Sequence, residues 1–195
     1  MTVIIDVKDS GVGKKVLNKP TPWYFKVAST LVFVIVLFLL VTRVAQANYI
    51  PSESMSPTLI PDDRIIVEKV TIKLSEPHRG SLIVFHPPVD GRESELWVKR
   101  LIGLPGETIE IRDGSIYIDG SPLNENYTLG KTKDLAPVTL AEDNPGTNED
   151  ESEYYFLGDN REHSMDSRHI GPLKRGNLVG KVILRYWPIS KIGTM

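Results

Sequence analysis

TIEIRDGSIYID, residues 108 to 119, sets two alternating apolar and polar runs on either side of Arg112-Asp113-Gly114 and ends on Asp119-Gly120. A side-chain period of two is that of a half-buried strand, and Asp-Gly pairs are turn chemistry, so the stretch predicts a β-hairpin. Short β-rich runs of the same kind recur on both sides of it. They are RIIVEKV (64 to 70), SLIVFH (81 to 86), ELWVKRLI (95 to 102), EYYFLG (153 to 158) and LVGKVILRYW (178 to 187). No stretch after Asn48 shows sustained helical spacing. The expected fold is therefore mainly β: an all-β domain over residues 48 to 195 whose strands close or wrap into a barrel-like core.

One segment breaks the pattern. Residues 130 to 153 lose the apolar period and collect Asp134, Glu142, Asp143, Glu149, Asp150, Glu151 and Glu153 around Pro145-Gly146. Too little apolar surface is available there to offset the entropy of ordering, so a mobile acidic loop is expected. No cation-ligand spacing is recognisable in it.

Upstream, Val27 to Thr42 is sixteen residues without a charge, bracketed by Lys26 and Arg43 and preceded by Trp23, Tyr24 and Phe25. With its aromatic flank it reaches about 30 Å as a helix, enough to span a bilayer. Lys14, Lys15, Lys19 and Lys26 stand on its N-terminal side against Arg43 alone on the other. By the positive-inside rule, residues 1 to 22 form a cytoplasmic tail, residues 23 to 47 an anchor, and the rest is exported. Ala45-Gln46-Ala47 also fits a signal-peptide cleavage site. The apolar run is slightly long for a signal peptide and its polar leader unusual, which favours a retained anchor; N-terminal sequencing of the mature protein separates the two. Ser54 lies eleven residues beyond Arg43, at most about 36 to 40 Å of extended chain, which tethers it near the outer membrane surface.

The totals exclude some classes. A formal charge of -2 and the absence of a basic stripe give no reason to expect nucleic acid, and zero cysteines remove disulfides and thiol chemistry. His78, His86, His163 and His169 form no metal motif. A triad of Ser54, His163 and Asp166 is compatible with the spacing, since triads assemble in space.

Three stretches carry chemistry. In PSESMSPTLIPDD, residues 51 to 63, Pro51 and Pro57 stiffen an exposed turn in which a serine can meet a substrate, although serines and prolines are equally at home in an ordinary loop. In WVKRLIGLPGE, residues 97 to 107, alternation puts Lys99 on the face of Trp97 and Leu101, where dehydration lowers an amine pKa and makes it a general base. Neutralising an ordinary lysine at pH 7 costs roughly 4.6 kcal/mol, so burial must supply most of the shift. A charge at the strand edge, snorkelling to water, is the plainer alternative. In GDNREHSMDSR, residues 158 to 168, Asp166 and Arg168 can pair, Arg161 offers a second guanidinium, and Ser164 can hydrogen-bond the lysine.

Together these stretches resemble the type I signal peptidases, membrane-bound Ser/Lys proteases. The resemblance covers Ile50 to Arg168 through four boxes in family order: PSESMSPTL, RGSLIVF, KRLIGLPGE and GDNREHSMDSR. It implies Ser54 as nucleophile, Lys99 as general base, Ser52 with the Ser54 backbone N–H as oxyanion hole, Ser164 as the serine that orients the lysine, and Asp159, Asp166 and Arg168 as site-bracing residues. It also implies shallow apolar substrate pockets, for which Ile50, Pro51, Met55, Leu59, Trp97 and Val98 are the candidates. Departures are Glu107 where Asp is usual, His163 where Asn is common, and Ser81-Leu82 where Asp-Ile or Asp-Val is common. The implied function is removal of signal peptides from exported preproteins after a small-x-small motif, without metal or cofactor. The implied partners are signal peptides and the lipid bilayer, in the cell membrane or an internal membrane such as the thylakoid. Self-cleavage after Ala47 is a further expectation. A self-cleaving repressor-type Ser/Lys protein, which should lack an anchor, and an inert anchored β-domain are the rival readings.

Overall fold

A computed structural model describes residues 22–143 and 150–195, without the side chains at 39 to 43. The tail expected over 1 to 22 thus falls almost wholly outside the described residues. Two units are distinct, one ending at Leu39 and one running from Leu40 to Met195. Helix α1 spans Trp23–Val44, and its apolar side chains, Leu31, Phe33 and Phe38 among them, are exposed. Among the described residues no helix is long and apolar enough to cross a membrane; positions 39 to 43 of α1 are not among the described side chains.

The second unit is built of strands β1 (Ala45–Tyr49), β2 (Arg64–Glu68), β3 (Leu82–Phe85), β4 (Trp97–Gly103), β5 (Thr108–Arg112), β6 (Ser115–Ile118), β7 (Ser121–Pro122), β8 (Leu135–Thr139), β9 (Glu153–Leu157), β10 (Leu173–Lys174), β11 (Leu178–Trp187) and β12 (Gly193–Thr194). Two one-turn helices, α2 (Thr71–Leu74) and α3 (Ser167–Ile170), fill connections. The large sheet runs β1-β2-β11-β3-β4-β9-β10, with β12 on β11, and the small one β7-β6-β5-β8. Both are antiparallel, and among the described residues no strand pairing closes either sheet on itself. The mainly β expectation holds, with a large curled sheet and a small sheet packed against it.

The central strands of the large sheet are buried on both faces. In β3, Leu82 and Val84 join one apolar cluster while Ile83 and Phe85 join another; in β9, Tyr154 and Phe156 face one side, and Tyr155 and Leu157 the other. Strands buried on both faces read as unbroken apolar runs, as LIVF and YYFL do. The hairpin of residues 108 to 119 forms with Ile109 opposite Ile118 and Ile111 opposite Ile116. Asp113 and Gly114 take φ of 52° and 77°, the left-handed pair that a two-residue hairpin turn requires. Ile109, Ile111 and Ile116 then pack with Ile102, Tyr155 and Leu157 of the large sheet.

Two expectations are corrected. The sheet begins at Ala45, so Ala45-Gln46-Ala47 is not anchor but strand, paired with Glu68, Val67 and Ile66. Likewise, the acidic segment is largely ordered. Within it β8 pairs with β5, and Leu135, Val138 and Leu140 pack on the third cluster. Its carboxylates are put to use as well: Glu153 accepts from the Ala141 N–H, and Asp150 pairs with Arg175 at 3.3 Å. Only residues 144 to 149 of the expected loop lie outside the described residues.

Candidate active site

Pro51 and Ser52 leave the end of β1 extended, and Glu53–Met55 makes one turn of 3-10 helix. Met55 is buried and anchors this turn on the first apolar cluster. Ser54 is thereby held facing β4. There Lys99, opposite Ile83 of β3, is 5% exposed. Its Nζ donates a 2.7 Å hydrogen bond to Ser54 Oγ, and the Ser52 and Ser54 hydroxyls are 3.3 Å apart. The expected apolar neighbourhood is present, with Nζ 5.8 Å from the Trp97 ring centroid. Burial pulls the Lys99 pKa down to about 8; Asp166 and Asp159 oppose that shift and Arg168 reinforces it. Such an amine is half neutral near pH 8.

The connection after β9 holds this pair from below. A Cβ at Gly158 would lie 2.5 Å from the Ser54 carbonyl oxygen and 2.2 Å from Ser164 Oγ, so no side chain fits there. Asn160 ties the nucleophile turn to this connection, its backbone N–H donating to Ser54 O at 3.1 Å and its Nδ2 to Glu53 O at 3.3 Å. Asp159 is bound by Arg100 through 2.8 and 2.6 Å contacts and by Thr58 Oγ1. Asp166 caps α3, takes both Arg168 Nε and Nη2 at 2.8 Å, and accepts from the Gly158 N–H at 2.9 Å. Burial pushes the Asp166 carboxyl up, but the Arg168 guanidinium and the Gly158 N–H outweigh it and hold it below the ordinary carboxylate range. Arg168 also donates to Arg161 O. Glu107 pairs with Arg79 and accepts from the Leu104 N–H, so its extra methylene leaves a satisfied brace.

A groove of about 1060 Å³ passes the two serines and Lys99. Ile50, Pro51, Met55, Trp97 and Val98 line it as expected, joined by Leu96, His163 and Met165. Leu59 does not. Its N–H bonds Met55 O beneath the turn, and its side chain is fully buried in the first cluster. Ser164 Oγ is buried against Gly158, where it helps to hold down the Asp166 carboxyl, and it makes no bond to Lys99 among the described contacts. The histidine alternative finds no geometry. The Ser54 hydroxyl meets Lys99 and Ser52, His163 is exposed, and the histidine beside Asp166 is His169, at 4.0 Å. Among the described residues no three metal-ligating side chains converge.

Asn160, Thr58 and Arg100 brace the site without a bracing role being expected of them from the sequence. Arg100 was legible in principle, since alternation sends it to the face opposite Lys99, where a buried guanidinium needs a carboxylate. Asn160 carries no such signal, because the nucleophile-turn carbonyls it bonds lie more than 100 residues away along the chain.

Comparison with known proteins bears on this geometry. Residues 24–187 match the family model described as signal peptidase, peptidase S26. A signal peptidase I from Leptolyngbya laminosa is 40% identical over 160 residues, covering 79% of this chain and 74% of that one. A probable signal peptidase I-2 from Synechocystis is 35% identical over 93% of this chain and 82% of its own length. A thylakoidal processing peptidase from Arabidopsis thaliana is 31% identical over 86% of this chain and 48% of its own. With the family model spanning most of the chain and relatives of this identity along nearly its whole length, the chain belongs to the signal peptidases of peptidase family S26, as a type I signal peptidase.

Proposed function

We propose that this signal peptidase is a Ser/Lys endopeptidase that cuts exported preproteins after a small-x-small motif, with Ser54 as nucleophile and Lys99 as general base. The observation that carries the reading is the 2.7 Å contact between Lys99 Nζ and Ser54 Oγ at a lysine that is 5% exposed. Once Lys99 has lost its proton, its lone pair takes the Ser54 proton while Oγ attacks the scissile carbonyl. Ser52 Oγ and the Ser54 backbone N–H stabilise the tetrahedral oxyanion. The protonated lysine then gives its proton to the leaving amine, and the second half-reaction repeats these roles with water as nucleophile. Ser164, buried against Gly158, orients the lysine as it changes charge.

The preprotein lies extended in the groove. Ile50, Pro51, Met55, Trp97 and Val98 form shallow walls that reject large side chains before the cut. Helix α1 serves as the membrane anchor: its 22 residues extend about 33 Å, its exposed face is apolar, and the lysines before it keep the N-terminus cytoplasmic. The catalytic unit then works on the exported side of the cell membrane, or of an internal membrane.

The test is cleavage of a preprotein by the detergent-solubilised chain and by Ser54→Ala, Lys99→Ala, Lys99→Arg and Ser52→Ala. The first three variants should be inactive, and Ser52→Ala should lose roughly 10² to 10³ in kcat. Folded Ser54→Ala or Lys99→Ala protein that still cuts at the native site removes the mechanism.

A further inference from the structure

The segment between β7 and β8 belongs to the small sheet and contributes nothing to the groove, yet it is bonded repeatedly to the connection that holds the nucleophile. Arg161 is the centre of these contacts, its side chain 1% exposed. Its guanidinium donates to Glu125 at 3.0 and 2.6 Å, to Thr132 Oγ1 at 3.0 Å and to the Gly158 carbonyl at 3.0 Å. Tyr127 donates to the same Glu125 at 2.6 Å. The Tyr127 ring lies 3.9 Å from the Arg100 guanidinium, which itself grips Asp159. Backbone bonds complete the strap: Leu129 N–H to Asp159 O at 2.7 Å, and Arg161 N–H to Leu129 O at 2.8 Å.

We propose that Glu125 and Tyr127 are positioning residues for the Ser54–Lys99 pair, acting through Arg161 and Arg100 on Gly158, Asp159 and Asn160. The inference rests on the Ser/Lys reading above. The physical argument is one of confinement. Gly158 is in contact with the Ser54 carbonyl, and Asn160 bonds the carbonyls of both Ser54 and Glu53. Any slack in this connection passes directly to the nucleophile turn. Glu125 is the only carboxylate bound to Arg161 among the described contacts, and a buried guanidinium without its counter-ion either moves or admits water. Lys99 shares the site with Asp159, Asp166 and Arg168, whose charges act on it, and with the Ser54 hydroxyl. Loosening therefore has two effects. It misplaces Ser54 Oγ relative to Nζ, and it lets water reach an amine that is a usable base only while dry.

The test is steady-state cleavage of a preprotein by the full chain in detergent, with Glu125→Gln, Tyr127→Leu and Tyr127→Phe, each rate normalised to native protein by the amplitude of thermal unfolding. Glu125→Gln and Tyr127→Leu should lower kcat about tenfold to a hundredfold at pH 7 with KM within twofold, because none of the altered side chains lines the groove. Tyr127→Phe keeps the ring over Arg100 and should stay within threefold of the parent. Rehydration of Lys99 should move the acid limb of the pH profile to higher pH, so the deficit narrows toward pH 9.5. A deficit that is the same at every pH shows that Lys99 has not been rehydrated and overturns the proposal, as does a full rate in native Glu125→Gln and Tyr127→Leu protein. Failure of the underlying reading is separate: it would appear as cleavage by Ser54→Ala, whatever the two positioning variants do.

Discussion

Replacing Lys99 by methionine should make the protein more stable while abolishing activity. The amine is 5% exposed, and burial brings its pKa from 10.5 to about 8. At about 1.36 kcal/mol per unit, holding the charged form inside the fold costs on the order of 3 kcal/mol. Methionine fills a similar volume without a charge, and repacking offsets less than about 1.5 kcal/mol, so a net gain of about 2 kcal/mol is expected near pH 6.5. The pH window follows from the sign. Below pH 8 the lysine is charged in both folded and unfolded chains and the whole penalty is felt. Between pH 8 and 10.5 the native lysine has lost its proton while the unfolded one has not, so the parent gains stability as pH rises. Above 10.5 both are neutral and the penalty is gone. Urea unfolding of the full chain in detergent at pH 6.5 and pH 10, followed by near-ultraviolet circular dichroism, measures this difference. A methionine variant no more stable than the parent at pH 6.5, or an advantage that does not shrink at pH 10, would refute the argument that Lys99 is held dry against its own charge. The cost is also functional: the dehydration that weakens the fold supplies the base.

Three further outcomes are expected. The acid limb of kcat/KM should fall near pH 8, the rate rising about fivefold from pH 7 to pH 8 and dropping about tenfold from pH 7 to pH 6; a profile flat from pH 6 to 9 contradicts a lysine base. Gly158→Ala puts a Cβ 2.5 Å from the Ser54 carbonyl oxygen, which is backbone and cannot swing aside, so kcat should fall steeply and stability by about 1 to 3 kcal/mol; native thermal stability with full activity argues against the close approach. Self-cleavage after Ala47 requires β1 to leave β2, so a fragment beginning at Asn48 should accumulate faster in mild denaturant that leaves the enzyme active, and mass spectrometry of the incubated chain reads it; a rate indifferent to denaturant shows that strand pairing does not limit the cut.

Local patterns were enough for much of this molecule. Seven β-rich runs were legible, and LVGKVILRYW coincides with β11 from end to end, because a strand declares itself through its own neighbours and a turn through Asp-Gly. Proline stiffening around Ser54 and an amine on an apolar face at Lys99 are also properties of a few consecutive residues, but they leave an ordinary loop and a strand-edge charge open, and it is the resemblance across four boxes that singles the two residues out. Where the reading failed, a distant partner decided. Leu135 to Thr139 looked too polar to order until β5 offered a ladder and an apolar cluster to receive it. The family pattern and nearness to Ser54 point Leu59 toward the groove, yet the turn buries it underneath. Glu125 and Arg161 meet across 36 residues of chain, and Asn160 reaches the Ser54 turn across 107. Local sequence pattern thus determined strands and turns, and the family resemblance named the residues proposed to react. Only the tertiary structure decided how dry Lys99 is and what steadies Ser54, since dehydration and confinement come from atoms far along the chain.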